Sequence, residues 1–469
     1  MKKIKGREIV LNRFCEQFRN KYIPYSQSLR KKGKLFYFLV RRNDFKKFLV
    51  IGEKNFKILP LNQRSCNLLQ NKFPYLSPVT SKGKASFGFG DRLGITTPAH
   101  VRVAKKFGIF PIFAQQSVRE LKKTGRTFKD VLADAVFGVF QEGYKGQYGA
   151  DADHIKTISE LRKAIQAGFT FFTVDLSDEI GNYHYNTSIR KMFSSNEINK
   201  IIKRNLNKTY YFAGRKIKFD LFTLQNVMNT YIKAIIKVES FFNILKKEKK
   251  EFELEISVDE TSIPTSYFDH IFLAEEFKRR KIKFQSLALR FPGKFEKAVD
   301  YKGNIKEFAS NLKIHSAIAK KFGYKLSLHS GSDKFSIYPV FYKETRGNFH
   351  IKTSGTSWLE AIKVIALKNP SLYRKLHNLA LKEFSYNKKF YDISTDLGQI
   401  PKLDKIPDKK LYNLLFNNNV RQMMHISYGS LLSAFRKEIY KTLFKFEEEF
   451  YEFVIKHLQK HLNKQICSI

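Results

Sequence analysis

The chain has 469 residues, of which 43% are hydrophobic and 15% aromatic. This composition excludes an intrinsically disordered protein. The length allows one large domain with additions or two to three smaller domains. Lys and Arg number 86 against 43 Asp and Glu, which gives a formal charge of +43. Basic residues are spread from Lys2 to Lys464 among abundant Phe, Ile, Asn and Tyr, so the charge favours a general compositional bias over a specific nucleic-acid partner, and a diffuse positive field would still attract anionic substrates.

The three cysteines, Cys15, Cys66 and Cys467, are widely spaced and form no CxxC pair. This pattern indicates neither a disulfide framework nor a zinc ribbon and suits a reducing compartment. The amino terminus, MKKIKGREIVLNRF, lacks the apolar core of a signal peptide. No apolar run reaches the roughly 18 residues of a membrane span. We therefore expect a cytoplasmic protein without a membrane partner.

Residues 1–80 are predicted to form a small α+β extension. The apolar segments 35–42 and 46–52 are typical of strands, and Asn43-Asp44 between them predicts a hairpin. The extension contains no cluster of potential catalytic residues. We expect it to serve in packing or oligomerisation, and a homo-oligomer is possible.

Eight short apolar runs, each ending in polar residues, follow from residue 85. They lie at 85–92, 109–117, 146–154, 169–178, 252–260, 283–291, 324–333 and 349–357. Segments of helical periodicity separate several of them, including 158–169, which ends in a glycine stop, and 221–247.

Eight strands alternating with helices over 85–360 predict an α/β fold, a (β/α)8 TIM-type barrel. An open doubly wound sheet is the alternative. No GxGxxG opens a helix after the first strand, so we expect no NAD. Residues 361–469 are predicted to be helical and packed on the barrel, with one long amphipathic helix at 438–462.

A barrel would bring the carboxyl ends of its strands to one face, where such folds place their chemistry. The polar residues that would meet there are Asp91, Arg92, Gln115, Gln116, Asp153, His154, Asp175, Asp178, Asp259, Glu260, Arg290, His329, Asp333 and Thr353. Two histidines with carboxylates, and no thiolate, suit one divalent ion among Zn, Mn, Fe, Co and Ni. Arginine and lysine nearby suit an anionic substrate, most simply a carboxylate.

Several of these residues also allow a purely structural interpretation. Asp91 and Arg92 could form an ion pair, Asp175 could cap the segment that follows it, and Arg290 could bind loop carbonyls. Asp153 and His154 are adjacent at a strand exit and so point in different directions. One of them could therefore hold a metal ion while the other faces the substrate.

Seven long motifs in order resemble one known family. They are SFGFGDRLGITTPAHVRV, FAQQSVRELKKTGRT, GVFQEGYKGQYGADADHIKT, SVDETSIPTS, KAVDYKG, LHSGSDKFSIYP and HIKTSGTSWLEA. They are similar to the tagaturonate/fructuronate epimerase family of hexuronate catabolism, and a looser similarity continues to the carboxyl terminus. The resemblance implies a metal-dependent isomerase that interconverts D-tagaturonate and D-fructuronate, two ketohexuronates that differ at one hydroxyl-bearing carbon.

The resemblance also implies roles for individual residues. Asp153 and Glu260 would be the catalytic acid/base pair, and His154, Asp300 and His329 would bind the metal. From the polar residues at and beside the strand ends, we predict substrate binding by Asp91, Arg92, Gln116, Asp175, Arg290, Asp333 and Lys334. The cation that meets the substrate carboxylate stays open among Arg290, Lys334 and Lys352. Glu179 stands where the family commonly has a histidine, and the chain is unusually basic.

The inverting carbon is β to the ketone, so enolisation does not acidify its C–H bond. A retro-aldol and aldol sequence avoids that barrier, and direct proton transfer between two carboxyl groups stays formally open. Two other functions also stay open: another ketose or ketouronate isomerase or aldolase on the same barrel, and a nucleic-acid-binding protein on a barrel that has lost its chemistry.

Overall fold

The computed structural model describes residues 2–181, 194–206, 208–353 and 355–462. Cys467 lies outside these ranges. Within them, no helix combines the length and the apolar composition needed to cross a membrane.

The amino-terminal extension is a helix packed on a five-stranded antiparallel sheet. Its elements are α1 (Lys2–Gln17), β1 (Tyr22–Pro24), β2 (Arg30–Lys32), β3 (Leu35–Arg42), β4 (Lys47–Gly52), β5 (Phe56–Pro60) and α2 (Gln63–Lys72). The predicted hairpin is the β3–β4 pair. Phe14 of α1 meets the rings of Phe38 and Phe56 edge-on, which gives the extension a small core of its own.

Eight parallel strands close into a barrel, which confirms the predicted (β/α)8 class. The barrel strands are β6 (Ser86–Phe89), β7 (Phe110–Ser117), β8 (Gly149–Ile155), β9 (Phe171–Asp175), β12 (Glu253–Ser257), β13 (Ser286–Ala288), β14 (Lys325–Leu328) and β15 (Phe349–Thr353). A hairpin of β10 (Thr209–Phe212) and β11 (Arg215–Lys218) is inserted between β9 and β12. The sequence analysis missed this insertion.

Helices surround the barrel. They are α3 (Thr97–Ala104), α4 (Val118–Thr124), α5 (Phe128–Gln141), α6 (Ile158–Ala167), α7 (Ser195–Leu206), α8 (Leu221–Glu248), α9 (Tyr267–Arg279), α10 (Ile305–Phe322), α11 (Tyr338–Thr345) and α12 (Thr356–Lys368). Local sequence explains their ends. In α6, Thr157 and Glu160 form a capping box, and Gly168 ends the helix at a φ of 94°.

The carboxyl-terminal region is helical, as predicted. It contains α13 (Pro370–Lys382), α14 (Phe384–Lys388), α15 (Asn418–Ile426), α16 (Tyr428–Lys445) and α17 (Glu447–His461). The prediction of one long helix over 438–462 is wrong, because Phe446 leaves the helical region with φ −114° and ψ 43°. The break allows the buried carboxylate of Glu447 to pair with Lys47 of the extension at 2.5 Å.

A buried polar network joins α17 to the loop after β14. The Asp333 carboxylate accepts hydrogen bonds from His457 Nε2 at 2.6 Å and from Arg421 Nη2 at 3.0 Å. His457 Nδ1 also lies 3.3 Å from Glu360 Oε1. His461 Nε2 accepts the Asp333 backbone N–H at 3.0 Å. The network fixes the loop that carries His329.

We expect Asp333→Asn to destabilise the protein by about 2–3 kcal/mol, because it removes the carboxylate that accepts buried hydrogen bonds from His457 and from the Arg421 guanidinium. Asparagine tolerates the left-handed backbone at this position, where φ is 61°. Urea unfolding measures the change. Asp404→Asn, at an exposed carboxylate, is the matched control, and an equal midpoint in the two variants would contradict the role of the network.

Candidate functional site

A cavity with two adjoining lobes opens at the carboxyl ends of the barrel strands. The central lobe, about 290 Å³, is lined by Asp153, His154 and Lys352 among others. The side lobe, also about 290 Å³, adjoins the loops after β13 and β14 and includes Arg290. Their shared wall is formed by Arg119, Asp259, Glu260, Lys297, His329, Ser330 and Tyr391. The two lobes together can take a small sugar derivative.

A β-bulge places Asp153 and His154 in the same lobe. The pairing of β8 with β9 shifts register between Ala152 and Ile155, and His154 has a left-handed φ of 52°. Regular alternation would send two adjacent side chains to opposite faces, and a bulge re-aims one of them. Adjacency at a strand exit predicted that Asp153 and His154 point in different directions, whereas both side chains line the central lobe.

Two imidazoles face each other across the mouth, with ring centroids 5.1 Å apart. His154 Nδ1 lies 3.2 Å from Asp175 Oδ2. His329 Nε2 lies 2.6 Å from Glu255 Oε1, and its Nδ1 lies 3.1 Å from Asp259 Oδ1. A carboxylate from another barrel strand therefore orients each ring, Asp175 from the adjacent β9 and Glu255 from β12, two strands away, as is usual for the histidine ligands of metal sites.

His154, Asp259 and His329 could hold a divalent ion. One ligand atom from each lies within 4.8 Å of the others. Two imidazoles and one carboxylate, without thiolate, suit a borderline divalent metal and leave coordination positions open. The other group with such spacing in the described residues, Asp333 with His457 and His461, has its polar atoms engaged in the network that anchors α17.

The carboxylates around the imidazoles control their charge. Burial opposes the positive charge, but Asp153 and Asp175 outweigh it and raise the pKa of His154 to about 10. Asp259 and Glu255 likewise outweigh burial and raise the pKa of His329 to about 9. Both rings therefore hold an extra proton at neutral pH, and a metal ion that binds them has to displace it.

Lys352 of β15 joins the buried carboxylates below the mouth. Its Nζ lies 2.8 Å from Asp151 Oδ2 and 2.7 Å from both Asp153 Oδ1 and Glu255 Oε1. It also donates to Thr173 Oγ1. Burial favours the neutral form of Asp153, but Lys352 and the imidazoles outweigh it and lower the pKa of this carboxyl. Asp153 is therefore ionised and able to accept a proton.

Glu260 stands at the rim, one residue after Asp259 in the loop that follows β12. Its carboxylate is about one-third exposed and lies 3.3 Å from Arg119 Nη2. It lines both lobes. Asp153 and Glu260 thus reach one cavity from different strands, as an acid/base pair requires.

The chain matches the family model described as UxaE, tagaturonate epimerase, over residues 25–465. It is 45% identical to the tagaturonate/fructuronate epimerase of Thermotoga maritima, over 97% of this chain and 99% of that protein. The native crystal structure of the fructuronate-tagaturonate epimerase UxaE from Cohnella laeviribosi superposes with a TM-score of 0.91 at 34% identity, covering 98% of this chain and 99% of the other. A glycerol complex of that enzyme also superposes with a TM-score of 0.91.

The chain belongs to the tagaturonate epimerase family.

Membership confirms the family resemblance and makes the protein an epimerase, and so an isomerase. Asp153 and Glu260, the predicted acid/base pair, both line the central lobe. Asp175 was predicted to bind substrate. It lines the central lobe but bonds to His154 Nδ1, so its contact in the structure is with the imidazole.

Three other residues that were predicted to bind substrate form hydrogen bonds within the protein around the mouth of the barrel. Asp91 accepts hydrogen bonds from Leu93 N, Gly94 N and Thr96 N at 2.7–2.9 Å and shapes the turn after β6. Gln116 Oε1 accepts from Arg126 Nη1 at 2.7 Å. Neither Asp91 nor Gln116 lines the described cavity. Arg92 does, but its guanidinium is fully engaged by Glu120, His425 and the Tyr428 ring.

Three predicted site residues lie apart from the imidazoles and the cavity. Asp300 is exposed, and its carboxylate accepts hydrogen bonds from Ser336 N and Oγ at 3.0–3.2 Å. Asp333 is engaged in the network at α17. Lys334 is buried and donates to the carbonyls of Glu296, Val299 and Ser332. Arg290 does line the side lobe. The geometry thus favours Asp259 over Asp300 beside the imidazoles.

The sequence analysis did not assign roles to Asp259, Glu255, Arg119 and Lys297. Asp259 precedes Glu260 in SVDE, and Glu255 lies two residues before Ser257 on the same strand, so strand alternation could have placed it inside the barrel. Lys297 opens the motif KAVDYKG, from which Asp300 was chosen instead. Arg119 carried no signal except its place after β7.

We expect Lys352→Met to cost about 3–5 kcal/mol of unfolding free energy at pH 8, because it leaves three buried carboxylates without their cation. In the wild type Lys352 lowers the pKa of Asp153 and Glu255. In the variant burial loses its main opponent and raises the pKa of these carboxyls above their unfolded values, so they take up protons as the pH falls from 8 and the cost of burying their charge decreases. The deficit should therefore shrink towards pH 5. Urea unfolding at both pH values measures it, with exposed Lys313→Met as control. A deficit independent of pH would contradict this.

Binding of a divalent ion should release about two protons per ion at pH 7.5, because both rings hold an extra proton. The apparent affinity should rise with pH up to about 9–10 and then level off, where the two imidazoles lose that proton. Calorimetric titration with Zn²⁺ in two buffers of different protonation enthalpy gives the number of protons. Binding without proton release at pH 7.5 would be inconsistent with these two imidazoles as ligands.

Proposed function

We propose that the protein is a metal-dependent epimerase that interconverts D-tagaturonate and D-fructuronate. The chain is a member of the tagaturonate epimerase family, and one observation carries this proposal. Its cavity places the carboxylates of Asp153 and Glu260 beside a pair of imidazoles that other carboxylates orient. The names of the relatives from T. maritima and C. laeviribosi supply the substrates. The proposed cytoplasmic location, homo-oligomerisation and independence of NAD stay predictions.

His154, Asp259 and His329 are the proposed ligands of one divalent ion. Bound there, the ion would supply Lewis-acid stabilisation of the negative charge that develops on the ketone side of the substrate. The donor set suits Zn, Mn, Fe, Co and Ni, among which geometry and availability select.

Asp153 is the proposed base. Ionised beside Lys352, it accepts the proton of the hydroxyl on the inverting carbon, and the bond between this carbon and the carbon next to the ketone breaks. The products of this retro-aldol step are an aldehyde and an enediolate. The aldehyde then rotates, so that the enediolate carbon attacks its opposite face and re-forms the bond.

Glu260 is the proposed proton donor on the other side. Rotation carries the aldehyde oxygen away from Asp153, and Glu260 at the rim supplies the proton when that oxygen becomes a hydroxyl again. The reverse direction exchanges the two roles. Arg119, at 3.3 Å from Glu260, positions this carboxylate, and the two adjoining lobes keep both fragments together.

Asp153→Asn and Glu260→Gln should each lower kcat by about 10²-fold or more, because each removes one proton-carrying group. Conversion of D-fructuronate to D-tagaturonate, followed by NMR, measures the loss. Exposed Glu251→Gln is the control of equal charge change. Nearly full activity in either site variant would remove that residue from the mechanism, and wild-type protein that leaves both uronates unchanged would contradict the proposed substrate.

Epimerisation in D₂O distinguishes the retro-aldol route from direct proton transfer at carbon. In the retro-aldol route the hydrogen on the inverting carbon never leaves, because it becomes the aldehyde hydrogen. We therefore expect product without deuterium at this carbon by NMR and mass spectrometry. Deuterium at the inverting carbon would instead support deprotonation and reprotonation between the two carboxyl groups.

A further inference from the structure

Lys297 lies where the two lobes of the cavity meet. It belongs to the loop after β13 and lines both lobes. Its side chain is half-buried, and its Nζ donates a hydrogen bond to Ser330 Oγ at 2.6 Å. Ser330 follows His329 directly, so the Lys297 ammonium is held beside an imidazole of the site.

Among the described residues, no carboxylate lies within ion-pair distance of Lys297 Nζ. Most other lysines and arginines of the shared wall and the central lobe form ion pairs with carboxylates. Their ion pairs are Arg92 with Glu120, Arg119 with Glu260, Lys156 with Asp178, and Lys352 with the three buried carboxylates. Exposed Lys122 is the exception. Lys297 is thus a desolvated cation whose counter-charge is not provided by the described chain.

The pKa of Lys297 also indicates that nearby carboxylates do not fully compensate its charge. Burial lowers the pKa of Lys297, and Glu260 and Asp259 only partly oppose this while Arg119 adds to it. An anionic group in the cavity would favour the ammonium and gain a charge-assisted hydrogen bond. A neutral hydroxyl would gain much less.

We propose that Lys297 binds the carboxylate of the sugar-acid substrate and makes the site selective for uronates over neutral ketoses. This inference rests on the proposed function. In the substrate, the inverting carbon lies between the carboxylate and the ketone. With the carboxylate at Lys297, the rest of the molecule extends into the central lobe towards Asp153, and Arg290 lines the side lobe behind the carboxylate.

The test compares Lys297→Met and Lys297→Arg with the wild-type protein. Lys297→Met should raise KM for D-fructuronate by about 10- to 100-fold, the size of one hydrogen bond to a charged group, and change kcat by less than a few-fold. Lys297→Arg keeps the cation and should restore most of the affinity. Lys294→Met, at an exposed lysine of the same loop, is the matched control.

A neutral ligand tests selectivity. D-Fructose carries a hydroxymethyl group where the uronate has its carboxylate, and its Ki as a competitive inhibitor should be unchanged in Lys297→Met. Equal weakening of fructose and fructuronate would overturn the proposal, because it would indicate general damage to the cavity. An unchanged KM for fructuronate would also overturn it.

Direct binding separates this inference from the proposed reaction. Calorimetric titration with D-fructuronate reports the contact of Lys297 even if the wild-type protein does not epimerise it, an outcome that would refute only the proposed function. Binding to the wild type that weakens at least 10-fold in Lys297→Met supports the carboxylate contact. Equal binding to both proteins, or none to the wild type, overturns it.

Discussion

The site depends on the buried ammonium of Lys352 inside the barrel. Its Nζ lies 2.7–2.8 Å from carboxylate oxygens of Asp151, Asp153 and Glu255. It lowers the pKa of Asp153 and Glu255, which could not remain ionised in a dry interior without it, whereas burial outweighs it at Asp151 and raises the pKa of that carboxyl to about 7. Two of them extend this effect to the mouth. Asp153 lines the cavity as the proposed base, and Glu255 orients the His329 ring. The charged groups inside the barrel therefore set the charge of Asp153 and the orientation of His329 at the mouth.

The backbone at the ends of two strands departs from regular geometry and directs side chains into the cavity. The bulge at the end of β8 brings Asp153 and His154 into one lobe, with His154 in the left-handed region. Ser330, next to His329, also has a positive φ of 51°. Such positions are held only where the surroundings over-determine them, and they occur frequently at functional sites. Here the Asp333 network supports the second one by tying its loop to α17.

Much of the fold could be predicted because residues close together in the sequence determine the strands and the ends of the helices. The eight strands and the glycine stop at Gly168 follow from local periodicity and turn chemistry. The break at Phe446 could not be predicted, because the ion pair that accompanies it joins Glu447 to Lys47, a residue far away in the sequence. Residue types at the strand ends predicted that histidines and carboxylates would meet at the mouth, and the structure brings Asp153, His154, Asp259, Glu260 and His329 to one cavity. The choice between Asp259 and Asp300 could not be made, because loop conformation decides which carboxylate faces the imidazoles.

We propose that Asp259, with His154 and His329, holds the metal ion. The most direct measurement is the metal content per chain, by plasma mass spectrometry after dialysis against Zn²⁺, of Asp259→Asn and Asp300→Asn. The geometry predicts that Asp300→Asn retains one ion per chain and that Asp259→Asn loses it. Loss of the ion in Asp300→Asn together with retention in Asp259→Asn would contradict the account.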